Sequence, residues 1–100
     1  MMEDCPLKFR ILELLESQGK MRTENIVFTI SKERARYDTD YGKAMIKYDI
    51  IELVSAGLVN EGESVVDDKG IFQQGKLLTM YEISDLGRTY IDELKTKVKV

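Results

Sequence analysis

A chain of 100 residues, 43% apolar and 33% charged, fits a single domain that buries a core without metal or disulfide support, and it is too apolar for disorder. Its apolar runs are only a few residues long, which excludes a membrane-spanning helix, and the start MMEDCPLKFR lacks the basic-then-apolar order of a leader. With 15 basic and 18 acidic side chains the net charge is −3, which argues against binding nucleic acid through the whole surface.

The charge is unevenly distributed. Residues 1–19 are acidic, residues 20–47 carry seven bases against four acids, and residues 48–100 carry six bases against ten acids. The positive excess therefore lies in the middle of the chain. The single cysteine, Cys5, cannot form an internal disulfide and reads as an inert thiol in a reducing, cytoplasmic setting rather than a bridge between two copies.

In chain order, Leu7, Ile11, Leu14 and Leu15 recur at helical spacing, predicting a first helix over residues 6–18 with Pro6 in its first turn and Gly19 as its stop. Thr23 suits the N-cap of a second helix over 23–31. The string NIVFTI (25–30) has β propensity, but Ile26, Val27 and Ile30 fit one helical face, and a lone strand there would lack a neighbour. Residues 32–40 read as either a tail to that helix or a loop. A third helix over 40–56 sets Ile46, Ile50 and Leu53 against the core, with Tyr41, Ala44, Tyr48 and Ser55 opposite. Asp38, Thr39 or Asp40 caps it, and Ala56-Gly57 closes it.

A hairpin over 58–83 follows, with strands near 58–66 and 77–83 joined through the turn signal Asp67-Asp68-Lys69-Gly70. On its second strand Leu77, Thr79, Tyr81 and Ile83 share one face. Ser84 caps a last helix over 84–97, whose apolar stripe is Leu86, Tyr90, Ile91 and Leu94, extended by Val98. The fold class is α+β and mostly helical, with residues 1–100 forming one domain.

Two strings are specific enough to compare. ELVSAGLV (52–59) and YEISDLGRTYIDEL (81–94), in the order helix–helix–helix–strand–strand–helix, resemble the winged helix-turn-helix superfamily and its small MarR-like and PadR-like regulators. The resemblance covers about residues 6–97. It implies a three-helix core, a two-stranded β wing and a C-terminal helix, with the third helix in the major groove of double-stranded DNA and the wing on the backbone. Two departures stand out: the connection between the second and third helices is long, and the wing is long with an acidic turn.

By that resemblance Tyr41, Gly42, Lys43, Ala44, Lys47 and Tyr48 face DNA, with the small Gly42 and Ala44 allowing close approach. Lys43 and Lys47 are in place for phosphates or guanine acceptors, and the tyrosines for phosphates or thymine methyls. The lysines lie toward the flank of the helix, which favours phosphate over base contact, or else they are plain solvated lysines on an amphipathic helix. Arg34 and Arg36 stand beside that helix as phosphate clamps or as part of a solvated loop. Lys69 and Lys76 are the bases of the wing, diluted by Asp67 and Asp68. Leu86, Tyr90, Ile91 and Leu94 are the expected dimer interface, matching a two-fold operator.

The expected function is that of a dimeric, sequence-specific transcriptional regulator. The acidic surface leaves a protein-interaction module as the alternative. No cofactor is expected: with no histidine and one cysteine, histidine triads and thiolate zinc sites are excluded, so the chain does not read as an enzyme. Gly70 to Lys76 matches G-x-x-x-x-G-K, but Leu77 stands where a phosphate loop needs Ser or Thr, and a strand follows where it needs a helix. These glycines read as turn residues and no nucleotide is expected.

Overall fold

Helix α1 (Leu7–Gln18) carries more apolar side chains than one face can hold, and the fold surrounds it accordingly. Leu7, Phe9, Ile11, Leu12, Leu14 and Leu15 are all buried, and α1 packs against the third helix, α3 (Asp40–Ser55), the last helix, α4 (Asp85–Val98), and the sheet. These relations come from a computed structural model that describes residues 6–70 and 74–98, together with the side chains of those up to residue 96. Cys5 lies outside the described residues, as does the side chain of Val98. Pro6 is the N-cap of α1, and Gly19 ends the helix at a φ of +81°.

Beyond Gly19 the chain forms a strand that the sequence did not announce. Strand β1 (Met21–Arg22) pairs antiparallel with β3 (Leu77–Ile83), Met21 opposite Tyr81 and Arg22 opposite Met80. With β2 (Val59–Val66) this makes a three-stranded antiparallel sheet in the order β1-β3-β2, where the sequence predicted only a hairpin. Two residues are too few to carry an alternation signal. The strand also shifts the start of α2 (Thr23–Glu33): Arg22, still extended, is the N-cap, and Thr23 is already helical.

Within α2, Ile26, Val27 and Ile30 are buried. The helical spacing therefore prevails over the β propensity of NIVFTI, because it buries three side chains on one side. A short 3-10 turn, Ala35–Tyr37, then bridges to α3 (Asp40–Ser55), resolving the segment read as tail or loop.

The Thr39 hydroxyl accepts a hydrogen bond from the Gly42 amide at 3.0 Å, capping α3. Ile46, Ile50 and Leu53 enter the core as expected. At the far end Gly57, at a φ of +79°, donates to Val54, and Leu58 donates to Leu53 at 3.0 Å. That pair of bonds is the Schellman arrangement, which requires a left-handed residue at this position.

Strands β2 and β3 pair in register from Val59–Ile83 to Glu61–Tyr81, then slip, resuming at Ser64–Thr79. Gly62 and Glu63 thus oppose Met80 alone, a β-bulge. The expected common face of Leu77, Thr79, Tyr81 and Ile83 does not survive it. Tyr81 and Ile83 are buried, yet Leu77 is 62% exposed and Leu78 is buried instead. Leu78 is not in the main core cluster but lines a hollow on the sheet with Met80 and Glu82.

Helix α4 (Asp85–Val98) begins at Ser84. The Ser84 hydroxyl accepts from the Gly87 amide at 2.9 Å and donates to the Gly57 carbonyl at 2.6 Å, while its backbone amide donates to Leu58. One residue thereby ties the exit of α3 to the entrance of α4. Ile91 is fully buried and Leu94 is half-buried against the core, which removes Ile91 from the expected dimer face. The reason is economy of apolar surface, since a four-helix core of this size needs the inner half of the α4 stripe for itself.

Ion pairs lock the helices together. Lys8 reaches Glu52 of α3 at 2.7 Å, and Lys95 of α4 reaches Glu16 at 2.6 Å. Arg10 is nearly buried and grips Glu33 at the end of α2 with two bonds, 2.9 Å and 2.5 Å, while contacting Glu13 at 3.3 Å. The hydrogen bonds from Arg10 hold the Glu33 carboxyl below its ordinary value of 4.5, outweighing the opposing cost of burial. A lowered folded-state pKa contributes stability above the unfolded value, and that contribution disappears as pH falls through the folded one. Urea unfolding at pH 7 and pH 3 is expected to show acid destabilisation that is smaller in Glu33→Gln, which has no charge to lose. Equal acid sensitivity in both proteins would remove this pair as a cause.

Among the described residues no helix is long and apolar enough to cross a membrane.

Candidate nucleic-acid interface

With Ile46, Asp49, Ile50 and Leu53 turned inward, α3 presents Tyr41, Ala44, Tyr48, Ile51 and Ser55 to solvent. Tyr41 is 77% exposed, Tyr48 56% and Ile51 58%, so the stripe is a free surface rather than the edge of the core. Lys47 is exposed on one flank and has no ion-pair partner among the described residues. Lys43, half-buried on the same flank, lies 3.7 Å from Asp38, a loose and solvated pair.

Gly42 does not belong to this surface. It is buried, and a Cβ added there would stand 2.5 Å from the Tyr37 Cα and 2.8 Å from its carbonyl. Its small size lets the 3-10 turn cross over α3, and DNA approach plays no part in it. This contact also explains the long connection between α2 and α3: the segment is a bracket packed on the helix start.

The flank of α3 faces a groove of about 440 Å³ shared with α2. Val27 and Phe28 form its apolar part, and Lys43, Lys47 and Lys76 stand on its rim. Phe28 is 61% exposed, with the Lys32 ammonium 5.3 Å above its ring. Lys76, expected as a base of the wing, is drawn to this groove by Glu24 at 2.6 Å. The other Glu24 oxygen, Oε1, is buried without a hydrogen-bond partner. Lys76 is therefore partly neutralised, and Glu24 holds it near the other two lysines.

Arg36 is exposed on the bracket, its guanidinium 5.2 Å from the Tyr37 ring. Arg34 is half-buried at the end of α2, and its charge helps hold the Glu33 carboxyl low. Lys69 is exposed at the hairpin turn beside Asp68, outside the groove. In that turn the Asp67 amide donates to the Lys76 carbonyl at 2.8 Å, closing the hairpin. Ile71 to Gln73, the middle of the phosphate-loop look-alike, lie outside the described residues, but Lys76 leads into β3 and not into a helix.

Electrostatically, the α3 start favours Asp40, which sits in its first turn. Burial pushes the Asp49 carboxyl up from its ordinary range, with Lys8 opposing. Glu52, the remaining acid of the helix, is engaged by Lys8. The outward stripe between Tyr41 and Ser55 is thus free of carboxylates.

The structure brings together Tyr41, Lys43, Ala44, Lys47, Tyr48 and Lys76, and it leaves Lys69 apart. Two residues of this surface were missed in the sequence, Ile51 and Phe28. Both were readable: Ile51 falls three residues after Tyr48 on the outward side, and Phe28 is left outward once Ile26, Val27 and Ile30 turn in. A second hollow of about 480 Å³ lies on the sheet, lined by Lys20, Arg22, Glu63 and Glu82 around Leu78 and Met80. Its opposed charges give it no single electrostatic sign. No family model, curated protein or solved structure matches this chain.

Proposed function

We propose that this chain is a winged-helix protein that binds double-stranded DNA and regulates transcription, with α3 in the major groove and the β2–β3 hairpin against the backbone. The element order α1-β1-α2-α3-β2-β3-α4, with an antiparallel sheet beside a helical core, supports the fold reading. The observation that carries the functional reading is the outward face of α3: aromatic and apolar from Tyr41 to Ser55, with Lys43 and Lys47 on one flank, Glu52 held by Lys8 on the other and Asp40 at its start. A groove-reading helix needs that combination, since phosphates demand cations and base edges demand close, desolvated contact.

Leu86 and Tyr90, four residues apart and 58% and 44% exposed, support pairing of two copies through the outer side of α4. Sedimentation velocity on the purified protein reads that state directly, and a monomer at high micromolar concentration would reject it.

A second reading has its own observation. Val65, Val66 and Leu77 are exposed at 46%, 55% and 62% along the hairpin, next to Asp68, which suits a protein partner. The two readings separate on salt. A fluorescence-anisotropy titration of a labelled duplex at several salt concentrations is expected to show affinity falling steeply with salt, whereas an apolar protein interface is far less sensitive. Absence of duplex binding even at low salt would reject the DNA reading in favour of the second.

A further inference from the structure

The chemistry of the α3 stripe narrows what kind of DNA it fits. At about 100° per residue, the direction opposite Ile46, Asp49, Ile50 and Leu53 falls among Ala44, Tyr48, Ile51 and Ser55, with Tyr41 roughly 50° to one side. Lys47 stands roughly 70° away on the other side, toward the α2 groove, where phosphate contact is favoured over a base edge. The common hydrogen-bonded contacts to guanine use Arg or Lys, those to adenine use Asn or Gln, and contacts to the cytosine amine use acids. Of these types only Lys43 and Lys47 adjoin the centre of the stripe, and both stand on its flank. Ala44, Tyr48, Ile51 and Ser55 at the centre include none of them. What it offers is a methyl, a branched alkyl group, phenol rings and two small residues that permit close approach.

Only one base presents a complementary group in the major groove, the C5-methyl of thymine. Resting on the reading of α3 as the groove-facing helix, we propose that this protein selects duplexes by the thymine methyls of consecutive A·T pairs. Ile51, Tyr48 and Ala44 supply the apolar contact, and Lys43 and Lys47 set the register on the phosphates. The stripe from Tyr41 to Ile51 rises about 15 Å, enough to follow roughly four base-pair steps. The bare carboxylate-free centre also explains why an acidic chain can present this surface to DNA.

The test begins with duplexes enriched by the wild-type protein from a random-sequence pool, then resynthesised with uracil in place of thymine. Uracil keeps every hydrogen-bonding group and removes only the methyl. The enriched sequences are expected to contain runs of A·T pairs, and affinity is expected to fall about fourfold for each contacted thymine replaced. In Ile51→Ala the ratio of thymine-duplex to uracil-duplex affinity is expected to move toward one, and a ratio unchanged from the wild type would remove Ile51 as a methyl contact. Enriched duplexes that bind equally well with uracil, or that are dominated by G·C steps, would overturn the proposal and leave α3 as a DNA-binding helix. No enrichment of any duplex would overturn both. A free protein that associates through this stripe, shown by dissociation of its oligomer in Tyr48→Ala, would assign the face to a second copy.

Discussion

Reversing two charges, Lys43→Glu with Lys47→Glu, is expected to weaken duplex binding by about a hundredfold or more in a gel-shift titration at low salt. Each lysine lost removes a phosphate contact, and each glutamate gained places a like charge beside the backbone. The loss of a hundredfold corresponds to roughly 2.7 kcal/mol, a modest demand on four charge changes. The fold should survive. Lys47 is exposed, and the Lys43–Asp38 contact at 3.7 Å is a solvated pair worth under about 1 kcal/mol. Circular dichroism and thermal unfolding of the variant check this, and a native-like melt with unchanged affinity would remove α3 as the contact.

The largest effect on stability is expected at Gly87, in the first turn of α4. It is buried, and a Cβ there would stand 2.7 Å from the Ile83 Cγ1 and closer still to the Leu58 carbonyl. Neither neighbour can yield cheaply. The Leu58 carbonyl already accepts the Ser84 amide at 3.0 Å, and Ile83 is a core residue paired with Val59. Gly87→Ala should therefore cost about 3 kcal/mol or more, near the upper end of overpacking effects, and lower Tm by roughly 10–20 °C. The adjacent exposed position gives the control, because Arg88→Ala should change stability by less than about 0.5 kcal/mol. A Gly87→Ala protein that melts with the wild type would show that α4 can slide away from β2 without loss.

That glycine lies inside YEISDLGRTYIDEL, the string that most plainly marked a strand-to-helix junction in the sequence. The junction was legible because its parts are local: alternation in β3, a serine cap and the apolar spacing of α4. The physical reason for the glycine was not, since it depends on Leu58, distant in sequence and adjacent only after the hairpin closes. The same division runs through the rest of the chain. The caps at Thr39 and Ser84, the inward triplet of α3 and the helical state of NIVFTI follow from spacing within one segment. Strand β1 exists only because β3 supplies its hydrogen bonds, and two residues cannot announce that alone.

The candidate surface divides likewise. Tyr41, Ala44 and Tyr48 were legible as the outward side of a helix whose inward side was clear. Gly42 was misjudged because its partner, the Tyr37 backbone, belongs to a segment with no periodic signal. Ile91 was misjudged because an apolar stripe does not reveal which half its own core consumes. Lys76 was placed on the wing by sequence position, whereas Glu24 draws it toward the α2–α3 groove.

The central claim is that the cations around α3 meet DNA phosphates although the chain as a whole is acidic. Its most direct measurement is the slope of the logarithm of duplex affinity against the logarithm of salt concentration. Engagement of Lys43, Lys47 and one or two neighbouring bases gives a slope of about −3 to −4, at roughly −0.9 per phosphate neutralised. A slope near zero, with duplex binding retained, would contradict the claim.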